Sequence, residues 1–302
     1  MDIHQLRVFH AAANSGSFTR ASEQMRISQS TISQHVKQLE TELGCNLFLR
    51  IGKRVLLTEA GQMLMEYCEK IFHDLKNAEM SIRALSGMQK GRLRFGSGAT
   101  TLIYQLPPVL ESYSARYPNI ELVIATDTTD ALVRDVRAHR LDLGLVMMPV
   151  NDPDLEITPL CAEEILFALP GRHPLAQKRT LSATDIEKLS FILYERKTVM
   201  RAMIDRYFDQ LNVQPRISMV MENIEAIKSL VSTGLGASLL PQHAVSKNDR
   251  PDRIRMMRVQ HRPLYRHLSL ITLRSDFIPQ AVRELSRMIV REIGARTAAE
   301  HK

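Results

Sequence analysis

The chain has 302 residues, 44% of them hydrophobic, 24% charged and 5% aromatic, which is enough length for two or three domains and excludes collagen-like, low-complexity and wholly disordered chains. No window offers the roughly 18 consecutive apolar residues of a membrane helix, and Met1 to Gln5 does not begin a basic-then-apolar leader, so the expected setting is the cytoplasm with no membrane partner. Net charge is +7, with 11 Lys and Arg against 5 Asp and Glu in residues 251–302 but only 11 against 9 in residues 1–90, so bulk charge admits an anionic partner without locating it.

Leu6, Phe9 and Ala13 recur at helical spacing and Asn14-Ser15-Gly16 ends that first helix. Ser17 caps a short second helix over Phe18 to Met25. Ser28 then caps a third, whose apolar stripe is Ile32, Val36, Leu39 and Leu43 and whose stop is Gly44. The outward positions of the third helix are Gln29, Ser30, Ser33, Gln34 and Lys37, with Thr31 in its first turn. Amides and hydroxyls can pair with base edges, and a face free of carboxylates does not repel phosphates. Leu47 to Arg50 and Val55 to Thr58 flank Ile51-Gly52-Lys53-Arg54 as a hairpin with a basic tip, which can lay Arg50, Lys53 and Arg54 on a phosphate backbone. Ser17, at the entry to the second helix, joins this DNA-facing set.

The ordered run Leu6-x-x-Phe9, Ser15-Gly16-Ser17-Phe18-Thr19-x-Ala21-Ser22, Ser28-Gln29-x-x-x-Ser33, Leu39-Glu40-x-x-Leu43-Gly44-x-x-Leu47-Phe48-x-Arg50 and Leu57-Thr58-x-Ala60-Gly61 resembles the DNA-binding domain of LysR-type transcriptional regulators. Ser22 and Met25 stand where that family usually has Ala and Leu, both on the packed side. The resemblance implies a winged helix-turn-helix over residues 1–58 whose third helix reads operator bases.

From Leu64 the apolar positions run Leu64, Cys68, Ile71, Leu75, Ala78, Ile82 and Leu85, alternating spacings of four and three, which is a heptad seam on a linker helix within residues 59–90. A stripe this narrow is expected to pair with a second copy, making a homodimer that reads a partly palindromic double-stranded DNA site. The family resemblance extends this to a dimer of dimers and, for an activator, to contact with RNA polymerase. Ser86 to Gly91 reads as the hinge.

Beyond the hinge, strands alternate with helices: strands at 93–96, 120–125 and 141–146, helices at 102–117 and 129–138, then a second set over 165–240, closed by a strand at 267–273 and a helix at 277–293. The fold class is therefore α/β overall. The segments Leu141 to Leu145, His173-Pro174-Leu175 and Gly234 to Pro241 resemble the LysR-type effector domain, which is similar to periplasmic binding proteins in having two lobes joined by two crossing strands. The implied lobes are 91–162 with 268–302, and 163–267. A small, anionic metabolite is expected in the crevice outside the carboxyl ends of the strands. Gly98-Ala99-Thr100-Thr101 and Thr128-Thr129 open helices there with hydroxyls and free amides. The family's pattern carries effector contact to Thr100 and Thr128, with Met147, Tyr194 and Asn223 as further wall residues. Helix capping uses the same threonine atoms, and sequence does not separate the two roles.

Enzyme signatures are missing: Gly96-Ser97-Gly98 and Gly234-Leu235-Gly236 lack the third glycine of a dinucleotide fingerprint, and no nucleophile elbow, phosphate loop or His-Glu-x-x-His occurs. No catalytic residues, metal ligands or cofactors are expected, and Cys45, Cys68 and Cys161 read as reduced thiols. The expected function is effector-modulated, sequence-specific DNA binding; the alternative is a solute receptor of the same two-lobed fold.

Overall fold

The computed structural model describes residues 1–51, 54–85, 91–245, 253–260, 262–275 and 278–300. They form two compact units, 1–82 and 83–302. In the first, α1 (Ile3–Ser15), α2 (Phe18–Met25) and α3 (Gln29–Leu43) precede the strands β1 (Phe48–Ile51) and β2 (Arg54–Leu57) and the long helix α4 (Glu59–Leu85). Each start has its cap: Asp2 in a capping box with Gln5, Ser17 accepting from the Arg20 amide, and Ser28 accepting from the Thr31 amide. Gly16 and Gly44 close α1 and α3 with φ of +60° and +69°, a region that costs glycine least. Phe9 and Phe18 both pack on Phe48, ring centroids 5.3 and 5.4 Å apart, and Ile32, Val36 and Leu39 seal α3 onto them. Leu43 departs from the expected stripe and is 41% exposed, because the last turn of α3 runs past the core.

The hairpin is antiparallel, pairing Ile51 with Arg54 next to its tip. Helix α4 starts against it. Thr58 donates to the Asn46 carbonyl at 2.7 Å and accepts from the Gly61 amide, and a Cβ at Gly61 would lie 2.1 Å from the Leu47 carbonyl oxygen. Backbone contact, rather than turn conformation, is what requires glycine there.

The second unit opens with β3 (Gly91–Ser97), α5 (Ala99–Tyr104), α6 (Pro107–Arg116), β4 (Ile120–Thr126), α7 (Thr129–Arg137) and β5 (Leu143–Met147). The single helix expected over 102–117 is two helices. Pro107 and Pro108 cannot continue α5, since a proline ring displaces the preceding turn, but they suit the first turn of α6. Strands β4, β3 and β5 lie parallel in that order and are followed by β12 (Leu264–Leu273), which runs antiparallel to β5. Leu93, Phe95, Leu143 and Leu145 face Tyr113 on α6 and Leu285 and Ile289 on α11 (Gln280–Glu300), while Leu132 and Val136 of α7 cover the other side with Ile271.

Between β5 and β12 in the chain come β6 (Leu155–Pro170), β7 (Thr180–Leu181), α8 (Ala183–Ile186), β8 (Ser190–Tyr194), α9 (Val199–Gln210), β9 (Arg216–Met221), α10 (Ile224–Ser232), β10 (Ser238–Pro241) and β11 (Ile254–Val259). Strand β6 begins ten residues before its expected start and crosses the whole unit. It pairs with β12 from Leu155–Leu273 to Ile165–Leu264, then continues to take β10 and β11. Parallel β8 and β9 join this second lobe through a bridge from Phe191 to Ala237, over a core of Phe167, Phe191, Tyr207 and Phe208.

Candidate DNA interface and effector cleft

The caps and core that fix α3 leave one side of it in solvent. Gln29, Ser30, Gln34 and Lys37 are exposed, while Thr31 and Ser33 are half-buried. Part of this set is engaged locally: Ser30 and Thr31 hydroxyls lie 2.6 and 2.8 Å from that of Ser28, and Gln29 donates weakly to Ser33 at 3.4 Å. Glu40, the first carboxylate along α3, turns back to accept from the Leu47 and Phe48 amides at 2.8 and 3.3 Å. The protruding face is thus amide, hydroxyl and ammonium. Ser17 is half-buried and its hydroxyl serves as the α2 cap. Lys53 and the side chains of Arg50 and Arg54 lie outside the described residues.

The linker seam needs correction at its start. Cys68 has no exposed surface, and Leu64 and Ile71 pack with Met65 and Phe72 against the core of α1 to α3. These positions stabilise their own chain, because three short helices and a hairpin do not bury their apolar faces without a fourth wall. Burial pushes the Cys68 thiol up to about 11, with Glu69 adding to the effect. The later seam positions Leu75, Ala78 and Ile82 are exposed, as are Met63 and Tyr67 nearer the start of α4; the Leu85 side chain lies outside the described set.

In the second unit the expected effector residues stand at the carboxyl ends of parallel strands: Thr100 and Thr101 after β3, Thr128 and Thr129 after β4, Met147 at the end of β5, Tyr194 at the end of β8 and Asn223 after β9. Their chemistry differs. Thr128 caps α7, accepting from the Ala131 amide at 3.4 Å, and Asn223 caps α10 through the Glu225 and Ala226 amides at 2.8 and 3.3 Å. Thr129 accepts from the Met147 amide at 3.2 Å, which ties α7 to β5. Thr100 follows Gly98, a cap residue with no side chain to offer, and is half-buried. Thr101 is 3% exposed and Met147 9%. The Tyr194 hydroxyl is buried without a hydrogen-bond partner among the described residues, and burial pushes its pKa upward.

Sequence reasoning missed the polar centre beneath these residues. Glu163 on β6 stands opposite Arg266 on β12, at 2.7 Å from its Nε and 2.5 Å from its Nη2. Gln105, from the α5–α6 joint, donates to Glu163 at 3.0 Å, and His243 Nδ1 lies 2.9 Å from the other carboxylate oxygen. Burial alone would raise the Glu163 pKa, but the charge of Arg266 and hydrogen bonds from His243 and Arg266 outweigh it and hold the carboxyl below its ordinary range. A buried carboxylate thereby joins β6 and β12 to Gln105 from the α5–α6 joint and to His243 from the segment after β10. The only sequence signal was an acidic residue in one strand and an arginine in another a hundred residues on.

Residues 3–62 match the family described as "Bacterial regulatory helix-turn-helix protein, lysR family", and residues 86–294 match "LysR substrate binding domain". The chain is 30% identical over 292 residues to the RuBisCO operon transcriptional regulator of Allochromatium vinosum, covering 97% of this chain and 96% of that one. Its fold is similar to full-length OxyR of Pseudomonas aeruginosa, with a TM-score of 0.76 at 23% identity over 97% and 94% of the two chains. It is also similar to full-length CbnR complexed with its target DNA, with a TM-score of 0.68 at 23% identity over 97% and 100%. A helix-turn-helix unit that matches in its own right sets aside the solute-receptor alternative, and no helix among the described residues is long and apolar enough to cross a membrane. The chain belongs to the LysR family and is a DNA-binding transcriptional regulator with a C-terminal effector-binding domain.

Proposed function

We propose that Gln29, Ser30, Thr31, Ser33, Gln34 and Lys37 enter the major groove of the operator, with Ser17, Arg50, Lys53 and Arg54 on the backbone. The observation that carries this is the solvent-facing side of α3, free of carboxylates while Glu40 is turned inward. CbnR, whose fold is similar, is a protein seen with its target DNA. In this reading two copies associate through the exposed Leu75, Ala78 and Ile82 of α4 and read a partly palindromic site, since twofold protein symmetry is matched by twofold half-sites. An anionic metabolite in the cleft beside Thr100, Met147 and Tyr194 shifts operator affinity, which requires that it bind one conformation better than another.

Gel-shift titrations against operator and scrambled DNA test the assignment. Gln34→Ala lowers discrimination by about 1–3 kcal/mol for the base pair it reads, whereas Lys53→Ala weakens both DNAs alike and reduces the salt slope by about one. Equal loss on both DNAs for Gln34→Ala would remove base reading from α3.

A further inference from the structure

Tyr104, the last residue of α5, belongs to the first lobe and reaches α10 of the second. Its hydroxyl donates to the Glu225 carboxylate. Lys228, one turn along α10, donates to the same hydroxyl at 3.2 Å, places Nζ 4.9 Å from the centre of the Tyr104 ring, and lies 3.6 Å from the Glu225 carboxylate. The two charges are unequally placed. The Lys228 side chain is 13% exposed, and that of Glu225 is 49% exposed. Helix capping does not account for Glu225 crossing the gap, because Asn223 already serves the first amides of α10. Gln105, the next residue after Tyr104, is the one that donates to Glu163, so this contact stands beside the buried polar centre.

A phenol that donates to a carboxylate, backed by an ammonium that donates to the phenol and stands within ion-pair distance of the same carboxylate, forms an anion receptor, since the cation is partly desolvated. We infer that Tyr104 and Lys228 form an anion subsite of the effector cleft, and that Glu225 occupies it with the chain's own carboxylate until a carboxylate or phosphate group of the effector replaces it. The inference rests on the cleft being the effector site and adds which group of the ligand is read there. Displacement of Glu225 breaks the one bond that ties Tyr104 to α10 through a carboxylate and substitutes the ligand in the same place. The effector is thereby selected for its negative charge and takes over the link that Glu225 makes to Tyr104, while the Lys228–Tyr104 hydrogen bond persists.

The test uses the full chain and two simple probes, inorganic phosphate and acetate, with sodium chloride holding ionic strength constant, and reads the thermal unfolding midpoint. Glu225→Gln keeps shape and removes the competing charge. It is expected to give a saturable rise in midpoint at a probe concentration at least about tenfold below that needed by the wild type, a difference of about 1.4 kcal/mol. A response to acetate alone assigns a carboxylate, and a response to phosphate assigns a phosphoryl group. Glu225→Gln combined with Lys228→Met is expected to lose the response to both. Identical titrations of wild type and Glu225→Gln, or a response that survives the Lys228 change, would overturn the subsite. A metabolite response abolished by Thr100→Val and untouched by Lys228→Met would overturn the subsite and leave the cleft. Anion binding by Glu225→Gln in a chain whose DNA affinity answers to no metabolite would instead overturn the cleft as an effector site.

Discussion

Two cysteines of the first unit show how far a residue's surroundings override its type. Cys45 is exposed after the end of α3, whereas Cys68 is wholly enclosed, with its thiol raised to about 11. Thiolate is the reactive species, so Cys68 is doubly protected, by access and by protonation. Maleimide labelling at pH 7.5 is expected to modify Cys45 within minutes and Cys68 only in denaturant; equal rates for the two in the folded chain would contradict the enclosure of Cys68. Sequence placed Cys68 on a seam between copies because the seven-residue spacing of apolar positions does not say which surface they meet. The recognition face was legible for the opposite reason. Gln29, Gln34 and Lys37 occupy positions that the buried stripe of Ile32, Val36 and Leu39 leaves over, and one stripe on one helix fixes both sides at once.

At the scale of elements, helices with side-chain caps fall close to their expected limits, as α2 and α3 do, since capping is written in adjacent residues. The α5–α6 break shows the complement: the apolar spacing of Leu102, Leu106, Val109 and Tyr113 persists through it, and only Pro107-Pro108 marks it. The first half of β6 and all of β11 were unreadable. Glu156, Glu163, Glu164, Arg255 and Arg258 interrupt their alternation, and two of these, Glu164 and Arg258, are partners across the strands at 2.6 Å. Helix α4 carries two apolar surfaces, one on its own core and one in solvent. Ile82→Glu is expected to weaken self-association at least tenfold in sedimentation equilibrium without altering the unfolding midpoint of a dilute sample. Cys68→Ser should do the reverse, lowering stability by about 1–3 kcal/mol through a buried hydroxyl while association persists. If the two substitutions exchanged effects, the division of α4 into an inner and an outer surface would fail.

For the molecule as a whole, the polar centre at Glu163 holds the effector-binding unit together at the point where its chain crosses twice. Two strands about 100 residues apart pair there through a buried ion pair, and the groups that complete it, Gln105 and His243, come from the α5–α6 joint and from the segment after β10. Removing one charge of such a pair leaves the other buried and uncompensated, a loss of about 3–5 kcal/mol, whereas replacing both by apolar groups is often near neutral. Glu163→Gln is therefore expected to lower the urea midpoint of the C-terminal unit, and Glu163→Gln with Arg266→Met to recover most of it. The acid limb supplies an independent sign. A carboxyl held below its ordinary value near 4.5 contributes stability that is complete above that pH and is lost as pH falls through the lower native value. Wild-type stability should thus fall on acidification below about pH 4.5 more steeply than that of Glu163→Gln, so that the two curves converge. Parallel curves across that range would mean that the native Glu163 carboxyl is not held below its unfolded value, and that Arg266 and His243 do not favour its charged form.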